Sequence, residues 1–107
     1  MRTLTAAAVL CLSSATASAF TGEQLLEYCS APAGQIVCRA YIMGLADGLG
    51  TYPETRPYCP PEKLTIAQIQ RIVEKFLQDN PAKLHHEAAD LEAQALQLAF
   101  PCRQNSN

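Results

Sequence analysis

Residues 65–77, TIAQIQRIVEKFL, decide the fold class of this chain. Their apolar side chains recur three and four positions apart, which is the period of one helix face and not the alternation of a strand. These side chains are Ile66, Ile69, Ile72, Val73, Phe76 and Leu77. Thr65 and Gln68 form a capping box, in which each side chain bonds the other residue's backbone amide. The stretch therefore predicts an amphipathic helix that buries one wide face and runs to about Gln78.

Two helices are predicted upstream of this one. Thr21 and Gln24 form another capping box and open a short helix that runs to about Cys29. Residues 30–34, SAPAG, break the helical pattern. A second helix then covers Gln35 to about Gly48.

A fourth helix is predicted downstream. Asn80 is expected as its N-cap and Pro81 at its first helical position, and the helix runs to about Phe100. Its predicted buried stripe is Leu84, Ala88, Leu91, Ala95 and Leu98. The predicted fold is all-α, a small disulfide-tied bundle of four helices.

Residues 1–19 have the order of a secretory signal peptide. One charge at Arg2 is followed by an apolar run over residues 6–12 and by small residues that end Ala17-Ser18-Ala19. The apolar run is too short for a permanent membrane anchor. We expect cleavage before Phe20, so that residues 20–107 form one domain and Cys11 leaves with the signal.

The other four of the five cysteines, Cys29, Cys38, Cys59 and Cys102, belong to that domain. An even number of cysteines in an oxidising compartment indicates two disulfides, for which three pairings are possible. Cys29 closes the first helix and Cys38 lies in the first turn of the second, across a turn that can bring them within bridging distance. That pairing leaves Cys59 to bond Cys102.

Three small residues in the second helix, Ala40, Gly44 and Gly48, are spaced by four and form a ridge. A glycine inside a helix costs about 0.5–1 kcal/mol relative to alanine. We expect close approach of another helix, within or between subunits, to compensate. The alternative is that Gly48 and Gly50 simply end the helix.

Composition and motifs argue against an enzyme. Ten Asp and Glu against eight Lys and Arg provide no basic surface for nucleic acid, and no second apolar segment is long enough to cross a membrane. The adjacent His85 and His86 point apart on a helix and chelate an ion poorly. Asp47 fits backbone bonding at a helix end better than catalysis. We predict no catalytic residue, no metal and no cofactor.

The segment from Gly50 to Pro61 is the one long irregular stretch, and four prolines stiffen it. It carries Tyr52, Glu54, Arg56 and Tyr58. Aromatic residues and arginine are favoured at binding hot spots, and a stiff loop loses little entropy on binding. These four residues are the predicted partner contacts. The alternative is that the prolines only rigidify a connection and that Tyr58 packs beside Cys59.

The order of these features resembles the Rap/Tai family of type VI secretion immunity proteins. The matching pieces are Cys29, residues 38–48 (CRAYIMGLADG), 58–61 (YCPP), 64–68 (LTIAQ), 80–81 (NP) and 95–102 (ALQLAFPC). The resemblance implies a small periplasmic all-helical protein that forms homodimers and that binds and blocks a peptidoglycan amidase delivered by a neighbouring cell. The matching pieces are scaffold positions, so they carry no toxin-contacting residue onto this sequence.

Two other functions fit a small exported helical domain. One is a periplasmic acid-stress chaperone, which would expose apolar surface on acidification and hold many clients. The other is an adaptor within an envelope complex. A cognate inhibitor would instead bind one enzyme tightly at neutral pH.

Overall fold

Four α-helices make up most of residues 19–103, which are the residues that the computed structural model describes. They are α1 (Gly22–Ser30), α2 (Gln35–Gly50), α3 (Ile66–Asp79) and α4 (Ala88–Ala99). Within the described range the extended pairing is a single bridge between Thr21 and Glu87. The predicted all-α fold is confirmed. The predicted signal and Cys11 lie outside the described residues, and none of the described helices has the length and apolarity needed to span a bilayer.

Both predicted capping boxes are present. The Gln24 amide donates to the Thr21 hydroxyl at 3.2 Å, and the Thr21 amide donates to the Gln24 side chain at 3.0 Å. The corresponding distances for Thr65 and Gln68 are 3.2 and 2.8 Å. Since these bonds join residues three apart, the local sequence is sufficient to specify where α1 and α3 begin.

One core lies between the helices, and α1 and α3 each pack against the other three. The largest apolar side chains that are fully buried are Leu25, Ile42, Val73, Leu77, Leu91 and Leu96. The apolar face of α3 is therefore covered as its periodicity predicts, with Ile69, Val73 and Leu77 at its centre.

The start of the last helix differs from the prediction. Pro81–Lys83 form a short 3-10 turn, and α4 begins only at Ala88. The carbonyl oxygens of Leu84 and His86 accept hydrogen bonds from the amides of Glu23 and Gly22, both at 2.9 Å. The first amides of a helix have no partner within it. The segment after this turn therefore caps α1, and the carbonyl oxygens of Leu84 and His86 are not available to continue a helix into α4.

The buried stripe of α4 also differs at one end. Leu98 was expected inside, but 73% of it is exposed. Leu96 and Glu92 are fully buried in the helix instead. The buried stripe of α4 is the face that α1 and α3 cover, and Leu98 lies outside that face.

The structure contains both expected disulfides, each with Cα atoms 4.9 Å apart. Cys29–Cys38 joins α1 to α2 and is buried in the core. Cys59–Cys102 is exposed and joins the segment before α3 to the chain after α4.

The small-residue ridge does not pack inside the subunit. Ala40, Gly44 and Gly48 are all exposed, and a Cβ added at Gly44 or Gly48 would meet no atom within 4 Å. The expected contact within one subunit is therefore wrong, and a contact between subunits stays a prediction. The helix continues past Gly48 and ends at Gly50.

Close backbone approach occurs instead at Gly22 and Gly34, which are both buried. A Cβ at Gly34 would overlap the Tyr28 carbonyl oxygen and lie 2.8 Å from the Tyr28 Cα. A Cβ at Gly22 would overlap the end of the Leu91 side chain and lie 3.3 Å from the Leu84 Cα. These two glycines permit the tight packing of α1 on its neighbours.

Candidate partner-binding loop

The proline loop, residues 51–61, leaves α2 and turns back at an exposed tip. The Thr55 amide and hydroxyl both donate to the Tyr52 carbonyl oxygen, at 3.1 and 3.3 Å, which closes a tight turn. The tip, residues 52–55, is exposed throughout, and 62% of Tyr52 is accessible. The tip therefore presents an aromatic ring and the Glu54 carboxylate to solvent.

The far end of the loop is fastened to the body of the protein at several points. Tyr58 is 4% exposed, and its hydroxyl donates to the Ala46 carbonyl oxygen at 3.2 Å. The Cys59 amide donates to the Phe100 carbonyl oxygen at 2.8 Å, beside the disulfide to Cys102. Burial raises the pKa of the Tyr58 hydroxyl, and the positive charge of Arg56 opposes that rise. A tip on such a base is held in place before any partner arrives.

The structure separates the four predicted contact residues. Tyr52 and Glu54 are exposed, as a contact surface requires. Arg56 is half-buried, and its Nε is buried without a hydrogen-bond partner among the described residues. Tyr58 belongs to the core, so its prediction as a partner contact is wrong. Its burial agrees with the alternative of a packing role, and its hydroxyl bonds α2; packing beside Cys59 itself stays a prediction.

A second exposed apolar surface lies on α2, where Ile36 and Met43, which the sequence did not single out, lie beside two members of the small-residue ridge. We define the outer face of α2 by Ile36, Ala40, Met43 and Gly44, all exposed. Ile36 is 83% accessible and Met43 is 38% accessible. Ile36, Ala40 and Met43 are four and three residues apart, so helical periodicity could have revealed this face beside the buried one.

A polar cluster fixes the base of that face. The buried Gln70 of α3 donates to the side chains of Gln35 and Glu74, at 3.2 and 2.9 Å, and accepts from Arg39 Nε at 3.4 Å. Gln35 also donates to the Cys29 carbonyl oxygen at 2.6 Å. These bonds join α1, α2 and α3 around the buried disulfide, so the outer face of α2 has a fixed orientation.

The residues considered as catalytic or metal-binding candidates lie at positions that do not form such a site. His85 and His86 are exposed in the segment that caps α1, with ring centroids 4.2 Å apart. Asp47 is exposed near the end of α2, where its carbonyl oxygen accepts the Thr51 hydroxyl at 2.8 Å. Glu74 lies beside Cys29 and Cys38, but the disulfide leaves no thiolate to bind a metal.

One family model matches nearly all of the described part of the chain. The model of a family described as Rap1a immunity proteins matches residues 21–102. The match begins at the N-cap of α1 and ends at the cysteine that closes the second disulfide. No curated protein and no solved structure matches the chain.

Proposed function

The chain belongs to the family of Rap1a immunity proteins, and on this premise we propose that it is a periplasmic protein that binds and blocks a peptidoglycan amidase delivered by type VI secretion. An immunity protein acts by binding a toxin, so the partner is a protein. The two disulfides support an oxidising compartment. The resemblance to the Rap/Tai family supplies the amidase class and the route of delivery.

The exposed tip of the proline loop is the observation that carries the proposal. A cell-wall amidase needs an open groove for a bulky polymer, and a projecting loop can fill such a groove. Tyr52 provides apolar area at the tip, and Glu54 provides a hydrogen-bond acceptor. Tyr58 and the Cys59–Cys102 bridge hold the base of the loop. Little conformational entropy is then lost on binding.

Inhibition in this scheme is occlusion. The tip occupies the substrate groove and prevents the polymer from reaching the enzyme's reacting groups. No catalytic group is required of the inhibitor. Arg56 supports the loop from its half-buried position and does not lead the contact.

Calorimetry against an amidase encoded beside this chain tests the proposal. Replacing Tyr52 with alanine should weaken binding by about 2 kcal/mol or more, roughly 30-fold, as for a hot-spot aromatic. The melting temperature should hardly change, because Tyr52 is mostly exposed. Ile36→Ala tests the outer face of α2 in parallel, and Leu98→Ala is the matched control, since it truncates an exposed apolar side chain on α4, outside both surfaces.

The outcomes separate the parts of the proposal. Weakening by Tyr52→Ala alone supports the loop tip as the contact. Weakening by Ile36→Ala alone moves the contact to the outer face of α2. Absence of binding by the unaltered protein removes the amidase as partner, and the chaperone and adaptor functions then become the better explanations.

We also propose that the protein is a homodimer whose subunits meet at the outer face of α2. Exposed Ile36 and Met43, with small residues between them, give that face the composition of an interface core. Sedimentation velocity should show a dimer that Met43→Asp converts to a monomer. A monomer at all concentrations of the unaltered protein, or an intact dimer in the variant, contradicts this part.

A further inference from the structure

Glu92 is the one charged side chain in the fully buried core of residues 19–103. It lies on α4 next to the fully covered Leu91, and its own exposure is 0%. Neither carboxyl oxygen has a hydrogen-bond partner among the described residues. An ionised carboxylate in such a place is strongly unfavourable. The folded protein therefore requires this carboxyl to keep its proton.

Glu92 acts electrostatically on one tyrosine of α2, Tyr41, and on one of the proline loop, Tyr58. In its ionised form it raises the pKa of both hydroxyls, although burial is the larger cause for each. The other charged groups acting on these tyrosines are Asp47 of α2, Arg56 of the loop, and Glu87 and Asp90 of α4. From α1 and α3, the core receives apolar side chains such as Leu25, Val73 and Leu77. Arg56 is the single cation among the groups that act on these two tyrosines.

We propose that Glu92 is a proton-controlled lock between α4 and the proline loop. The core packs around the neutral carboxyl. Loss of the proton weakens the packing of Tyr58 and therefore the attachment of the base of the loop. The burial of Glu92 and its unpaired oxygens support the lock, and the end of α4 is joined to the base of the loop by the Cys59 amide, which bonds the Phe100 carbonyl oxygen, and by the Cys59–Cys102 disulfide. None of these observations depends on which partner the loop tip contacts.

The direction of the pH effect follows from burial, which raises the pKa of Glu92 from an ordinary 4.5 to about 8. Between these values the unfolded chain releases the proton and the folded protein retains it. The unfolding equilibrium constant should therefore rise by up to about tenfold per pH unit. The contribution of the Glu92 carboxyl to the free energy of unfolding is full below pH 4.5 and is lost as the pH rises to about 8. An acid-stress chaperone would need the opposite sign, with the fold loosening on acidification.

Urea unfolding of the full domain between about pH 5 and pH 8 tests the lock. In the unaltered protein the unfolding equilibrium constant should rise with pH. Glu92→Gln should remove most of that rise, because the amide is neutral and similar in size to the carboxyl. Glu87→Gln is the matched control, an exposed carboxyl near the start of the same helix. If Glu92→Gln and the unaltered protein have the same pH dependence, the proposal is overturned.

Hydrogen exchange tests the coupling to the loop. At pH 8 the Cys59 amide, which bonds Phe100, should exchange at least about fivefold faster in the unaltered protein than in Glu92→Gln. The Gln24 amide in the α1 capping box should exchange equally in both. An equal acceleration of both amides overturns a lock that acts on the loop.

A direct titration covers the case in which Glu92→Gln does not fold. The carboxyl carbon of Glu92 in the unaltered protein, followed by NMR, should titrate near pH 8. A midpoint near the ordinary value of 4.5 shows an ionised carboxylate at neutral pH and overturns the proposal.

Discussion

Glycine serves opposite purposes at the two ends of the α1–α2 hairpin. At the junction of the helices, Gly34 lies against the backbone of Tyr28 and leaves no room for a Cβ. Along the outer face of α2, Gly44 and Gly48 have no atom near the position a Cβ would take. The regular spacing of Gly44 and Gly48 suggested packing, and the isolated Gly34 did not. The difference shows that the neighbouring chain segment, and not the spacing of small residues, determines whether a glycine is required.

Gly34→Ala should have the largest effect of the substitutions that test this comparison. The added Cβ meets backbone atoms of Tyr28, which cannot move aside by a change of rotamer. We expect a loss of more than about 3 kcal/mol in the free energy of unfolding, beyond ordinary overpacking. Urea denaturation of the oxidised protein measures it, and a loss below about 1 kcal/mol would mean that the junction is not tight.

Gly22→Ala should have an intermediate effect. Its Cβ first meets the end of the Leu91 side chain, which can rotate, and then the Leu84 backbone at 3.3 Å. We expect a loss of about 1–3 kcal/mol, measured in the same way. A loss of stability equal to that of Gly34→Ala would show that the Leu91 side chain cannot rotate away from the added methyl group.

Gly44→Ala should have the smallest effect and the opposite sign. The new methyl group points into open space, so only the helix propensity changes, and the subunit should gain about 0.5–1 kcal/mol. Gly44→Leu should likewise not overpack a single subunit, because no atom of that subunit lies within 4 Å of the Cβ position. A marked loss of stability on Gly44→Leu that depends on protein concentration would show that a second subunit covers this face.

The parts of the fold that depend on neighbours in sequence were predictable. Each capping box joins residues three apart, and the apolar face of α3 is determined by the spacing of residues within one helix. The start of α4 was not predictable in this way. Asn80 and Pro81 do begin a helical turn, but the carbonyl oxygens that follow are bonded to the amides of α1, far away in the chain.

The candidate site follows the same division. The prolines identified the loop, because their effect on the backbone is local. Tyr52 and Tyr58 are the same residue type six positions apart, and the sequence could not separate the exposed one from the buried one. What separates them is the Ala46 carbonyl oxygen, which belongs to α2 and accepts the hydroxyl of Tyr58. Glu92 gave no sequence signal, since a carboxylate in an amphipathic helix normally marks the solvated side.

The order of the disulfides has a consequence for how the protein matures. The bridges join the first cysteine of the domain to the second and the third to the fourth, with sequence separations of 9 and 43. If the chain is exported N-terminus first into an oxidising compartment, as proposed, Cys29 and Cys38 enter it before Cys59. When Cys59 enters, Cys29 and Cys38 are already bonded to each other, so Cys59 stays reduced until Cys102 follows. Oxidation in order of emergence therefore yields the native pairs directly, so maturation should need an oxidant but no disulfide isomerase.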